Sequence, residues 1–167
     1  RVLFRSPALE TTEAGESLSA RWSATARRLH TEFQTSVAVI TGKRCLGGML
    51  ELATHCHFVV AANGTSLGFP EVTLPVVPGM EGCHWPFRKA KQDDWSKLMG
   101  LLLSGKPARA EQAVGWLIDA SGSVNDVLAT AWAIATGTSK VARRAFDAGA
   151  LSGLPETTSG VVSEGPS

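Results

Sequence analysis

Two glutamates and a run of glycines are the residues best suited to chemistry in this chain. Glu51 follows Gly47-Gly48-Met49-Leu50; Glu71 follows Phe69-Pro70 and precedes Leu74-Pro75-Val76-Val77-Pro78-Gly79. A glycine turn that opens a helix leaves the first backbone N–H groups without internal partners. With the helix dipole behind them, these groups suit a developing oxyanion. Gly48 precedes Glu51 by about one helical turn, so a donor and a carboxylate can face one bound group. Glu71 sits behind a proline that fixes the local chain direction, at the start of a loop, where functional groups gather. Such a set suits addition of water across a double bond conjugated to a carbonyl. One carboxylate takes a proton from water, the other handles the proton at the alpha carbon, and the N–H holds the enolate-like charge. Close carboxylates also drive each other's pKa values apart.

The elements that must position these groups follow from periodicity. Trp22, Ala26, Leu29 and Phe33 fall on one helical face, with Ser19 as a candidate cap. Val37–Ile40 and Phe58–Ala62 are short β-branched or apolar runs suited to buried strands. Between them Gly47-Gly48 opens a helix that carries Glu51. Leu67-Gly68-Phe69 reads as a short extended piece before Pro70-Glu71. Helices are expected over 95–103, 110–118, 124–135 and 139–151, and a Ser-, Gly-, Thr- and Pro-rich tail from Ser152 reads as a linker. The result is an α/β layout with a helical carboxyl-terminal part. Two strands alone make a poor sheet, and the abrupt start at Arg1 agrees with a piece cut from something longer. The division expected is a partial domain over 1–151 and a flexible tail over 152–167.

The motifs together resemble a known family. Leu46-Gly47-Gly48 with Glu51-Leu52-Ala53, then Leu67-Gly68-Phe69-Pro70-Glu71-Val72, then Pro78-Gly79, is similar to the signature region of the enoyl-CoA hydratase/isomerase (crotonase) superfamily. The likeness continues through Leu101–Pro107 and Ala110–Ala113, and covers roughly residues 35–120. It implies a crotonase-like spiral of ββα units with carboxyl-terminal helices, incomplete at the amino terminus. It implies Glu51 and Glu71 as catalytic glutamates and Gly48 as an oxyanion N–H. Gly47, Met49, Phe69, Pro70, Val77, Pro78 and Gly79 become substrate-binding positions. The implied activity is hydration of a 2-enoyl-CoA, or dehydration of a 3-hydroxyacyl-CoA, with no metal or redox cofactor and CoA only as part of the substrate. The alternatives are another crotonase-type reaction (isomerase, hydrolase or decarboxylase), or an inactive truncated domain with a scaffold role. The implied assembly is a homotrimer or hexamer, with fusion to other domains as a further option. Departures from the family pattern are Met49 for a third glycine, His57 for an acidic residue, Phe69 for a polar one, and Glu81 within the glycine-rich turn. The family's upstream oxyanion segment has no recognisable counterpart in residues 1–12.

Composition narrows the remaining classes. With 167 residues, 44% hydrophobic and 19% charged, one core-bearing domain is expected. A net charge of +1 gives no sign of nucleic acid or an anionic membrane surface, and no apolar run is long enough to span a bilayer. Three cysteines without repeated spacing point to a reducing, cytoplasmic setting. His55-Cys56-His57 with Cys83-His84 offers metal-ligand types, but not the spacing of a structural zinc site. Cys56 reads as a small buried residue, and His55 and His57 as polar edges of a strand. Glu81 reads as an ordinary glutamate near a helix start. The five tryptophans read as core or interface aromatics.

Overall fold

The computed structural model describes residues 12–149 except residue 75; the tail expected from 152 lies outside the described residues. Helix α1 (Thr12–Thr31) is followed by β1 (Val37–Ile40), β2 (Arg44–Leu46), α2 (Gly48–His55), β3 (Phe58–Ala62) and β4 (Ser66–Gly68). Then come α3 (Trp95–Ser104), β5 (Ala108–Arg109), α4 (Ala110–Ala113), β6 (Ala120–Gly122) and α5 (Val124–Ala135).

The strands form two small sheets, ordered β1-β3-β6 and β2-β4-β5. β1, β3 and β6 pair in parallel, with Ile40 beside Ala61 and Ala62 beside Gly122. β3 is central and buried along its whole length, which its unbroken apolar sequence demands. β2 and β4 also pair in parallel, with Leu46 beside Gly68. One main core gathers Ile40, Leu50, Val59, Leu67, Phe69, Leu98, Leu101, Leu117 and Ile118; a smaller one joins Phe58 and Val60 to Val127 and Ile134 of α5. α5 is started by a capping box in which Ser123 and Asp126 exchange hydrogen bonds.

Several expectations are corrected. α1 starts at Thr12 and not after Ser19, which lies inside it, and it ends before Phe33. Phe33 and Trp22 are exposed, and Ala26 is the fully buried residue of the expected face. There are six short strands among the described residues, not two. The helix expected over 110–118 stops at Ala113: Gly115 takes a left-handed φ of 92°, and Val114 bridges Ile118. Residues 139–149 hold no helix. Arg144 is instead drawn onto buried Asp119 (2.7 Å) and the carbonyls of Trp116 and Leu117, so tertiary contacts override the periodic pattern.

Candidate functional site

Both glutamates stand at the carboxyl ends of adjacent parallel strands, where open α/β sheets place their ligands. β2 runs into Gly47, whose φ of 56° turns the chain into α2 and so carries Glu51. β4 runs into Phe69 and a tight 3-10 turn, Pro70–Thr73, that carries Glu71. The Gly47 N–H donates to the Gly68 carbonyl (2.9 Å), tying the two turns together. Behind the second turn, the left-handed Gly105 that ends α3 packs on Val72 and Thr73, where a Cβ would come within 2.8 Å and 3.0 Å.

Gly47 and Gly48 lie between the carboxylates. A Cβ on Gly47 would fall 2.8 Å from Glu71 Oε1, and one on Gly48 would fall 3.9 Å from Glu51 Oε2. The Gly48 N–H heads α2 and has no intrahelical acceptor. Glu51 is almost wholly buried; its Oε1 accepts the N–H groups of Met80 and Gly82, both at 2.8 Å. Burial raises its pKa, the two N–H bonds oppose the rise, and the nearby Glu71 charge adds to it. Glu71 Oε2 is shut off from solvent and has no hydrogen-bond partner among the described residues. A buried oxygen of this kind is costly unless something comes to meet it.

Beside Glu71 opens an apolar cleft of about 450 Å³, walled by Phe69, Val72, Val76, Val77, Pro78, Cys83, Met99, Leu102 and Leu103. Met99 and Leu103 lie on the exposed side of α3, opposite buried Leu98 and Leu101.

No family model matches the chain. A peroxisomal fatty acid beta-oxidation multifunctional protein of Arabidopsis thaliana is 39% identical over 103 residues, 59% of this chain and 14% of that protein. A probable enoyl-CoA hydratase of Mycobacterium leprae is 34% identical over 110 residues, 65% of this chain and 41% of that protein. The crystal structure of the enoyl-CoA hydratase from Thermoplasma volcanium superposes with a TM-score of 0.66 at 23% identity, over 81% of this chain and 52% of that one. The fold is that of crotonase. In sequence the chain is similar to enoyl-CoA hydratases over part of its length, and its fold is the one their solved structures share. It spans well under half the length of these two relatives and about half of the solved structure.

Of the positions inferred from the superfamily resemblance, Glu51, Glu71, Gly47 and Gly48 come together. Phe69, Val77 and Pro78 line the cleft. Met49 does not join them: it points outward and is 67% exposed. Gly79 lies between α1 and the site: its carbonyl accepts the Ser23 hydroxyl (3.4 Å), and its N–H favours the charged form of Glu51. Pro70 shapes the turn beneath Glu71, packed on the end of α3.

The largest correction is behind Glu51. Glu81 heads no helix. It is 7% exposed, has a left-handed φ of 70°, and its carboxylate takes Arg27 of α1 and His55 of α2. Such a backbone costs a non-glycine residue about 1–2 kcal/mol. Burial opposes ionisation of Glu81, but the Arg27 and His55 bonds outweigh it and hold the carboxyl below its usual range. His55 and His57 are not polar edges; both are buried. His55 Nδ1 meets the Glu51 carbonyl (2.8 Å) and Nε2 meets Glu81 (3.2 Å). Both partners only accept, so only the imidazolium donates to both, while burial lowers its pKa. Trp85 stacks on the His55 ring at 4.3 Å. The one available signal was that glutamate interrupts a glycine-rich turn.

Proposed function

We propose that this chain carries the two-glutamate site of an enoyl-CoA hydratase. The observation that supports it is the placement of Glu51 and Glu71 on either side of the Gly47-Gly48 turn, with the first N–H groups of α2 between them. A 2-enoyl thioester would lie with its carbonyl oxygen at the Gly48 N–H and its acyl chain along the apolar cleft. One glutamate removes a proton from water as the water oxygen bonds to the beta carbon. The charge passes to the thioester oxygen, which the N–H stabilises. The other glutamate delivers a proton to the alpha carbon, and the double bond is consumed. The step needs no metal or redox group, and CoA enters as part of the substrate.

The same reading carries a homotrimer or dimer of trimers and a cytoplasmic setting, which the three free cysteines favour. Fusion to other domains would follow the multifunctional Arabidopsis relative. The test is loss of crotonyl-CoA absorbance, with light scattering for assembly. Glu51→Gln and Glu71→Gln should each lower kcat on the order of 100-fold or more. A chain that binds CoA esters without hydrating them would point to isomerase, hydrolase or decarboxylase chemistry. One that neither binds CoA esters nor assembles would favour a scaffold role.

A further inference from the structure

We propose that Glu81 is a positioning residue for Glu51, gripping α1 and α2 from inside the 79–82 turn so that the Met80 and Gly82 N–H groups converge on one oxygen of Glu51. Its catalytic consequence rests on the hydratase reading; the positioning itself does not. Met80 and Gly82 flank Glu81 in sequence, yet both N–H groups bind Glu51 Oε1 at 2.8 Å. N–H groups on either side of one residue converge on an anion only when the backbone between them turns back into a nest. Glu81 supplies that turn with its left-handed φ of 70°.

A glycine would adopt this backbone freely; a glutamate must be held there, and its side chain is held from two directions. Arg27 of α1 donates to both carboxylate oxygens, at 3.0 Å from Nε to Oε2 and by a second bond from Nη2 to Oε1. His55, one helical turn beyond Glu51, meets Oε2 at 3.2 Å. His84 stands 3.8 Å from Oε1. Because the His55 Nδ1 also meets the carbonyl of Glu51, the linkage closes on itself. The turn grips the Glu51 carboxylate from its backbone side, and the next turn of α2 grips the Glu81 carboxylate.

The test follows the backbone amides of Met80 and Gly82 in the full chain by 15N-resolved NMR across pH 4–8, which needs no turnover. In the wild type both amide protons should move together as Glu51 titrates. In Glu81→Ala, which removes the carboxylate but keeps the backbone cost of a side chain at φ 70°, they should lose that shared shift and exchange with solvent about tenfold faster or more, and Glu81→Gln should restore part of the protection. Arg27→Gln leaves the turn sequence intact and its side chain is 54% exposed, so it should fold even where Glu81→Ala does not, and it should show the same loss in smaller measure. In an active chain, Glu81→Ala should lower kcat roughly tenfold with KM changed by less than about twofold. Amides unchanged in shift and exchange in Glu81→Ala and Arg27→Gln would overturn the assignment, and so would an unaltered kcat. An inactive wild type whose amides respond as described would defeat the hydratase reading and leave the positioning role standing.

Discussion

Gly82 sits where no side chain fits. A Cβ there would lie 2.7 Å from Glu51 Cγ, 2.9 Å from its Oε1 and 3.0 Å from the Phe69 ring. Gly82→Ala should therefore push the carboxylate off its two N–H donors and cost about 1–3 kcal/mol of stability. Urea melts give the stability change, and kcat should fall on the order of 100-fold for a displacement near 1 Å. An alanine variant with wild-type rate and midpoint would refute this packing. The two glutamates and their glycines were legible in the sequence because their roles depend on short spacing and backbone freedom. The Glu81 cluster was not. Its partners Arg27 and His55 lie far from it in the chain, and a half-buried ion pair leaves no periodic trace. The cleft wall was half legible: Phe69, Val77 and Pro78 come from the motif, whereas Met99, Leu102 and Leu103 reach it only through the packing of α3 against the Glu71 turn.

Among the elements, four match their expected ranges closely, whereas α1, the longest, begins well before the expected Ser19 cap. β1, β3 and α5 coincide with their expected ranges, and α3 extends by one residue to Ser104. Strands of two or three residues, such as β2, β5 and β6, are too short to alternate visibly and exist only through their partners. The segment after α5 shows the opposite case, a helical pattern that tertiary contacts defeat. Asp119 is 1% exposed, accepts the Val59 N–H at 2.7 Å, and is neutralised by Arg144 from that segment. Arg144→Ala should leave a buried charge unpaired and cost about 3 kcal/mol. It should also free the 139–149 segment, seen as faster amide exchange there, while Lys140→Ala on the exposed side should change neither. Equal midpoints for wild type and Arg144→Ala would show that Asp119 is already satisfied.

At the scale of the whole molecule, the packing of α1 and the 79–90 region over α2 encloses four histidines. Burial lowers the pKa of His30 to about 4 and moves His55, His57 and His84 downward as well. In the unfolded chain these rings take protons near the ordinary value of about 6.5. As pH falls through that value the unfolded state binds more protons than the folded one, so stability declines, continuing toward pH 4 for His30. His30, whose pKa is lowered to about 4, should carry the largest share, at no more than about 1.4 kcal/mol per pH unit for each ring. Glu51 acts in the opposite sense: its raised pKa means that protonating it on the way down to about 4.5 returns some stability. Glu81, held low, adds a further loss only below about 4.5. Urea midpoints should thus fall between pH 7 and 5; a flat profile would show that the rings gain protons without cost. The stacking of Trp85 on His55 gives this proton an optical signature. A charged imidazolium lying against an indole face withdraws its excited-state electron density, whereas a neutral ring does so weakly. Emission from Trp85 should therefore dim as His55 gains its proton, and Trp85→Phe should remove that pH-dependent component. Fluorescence would then record, in the intact protein and without substrate, whether the ring between Glu51 and Glu81 donates in one direction or in both.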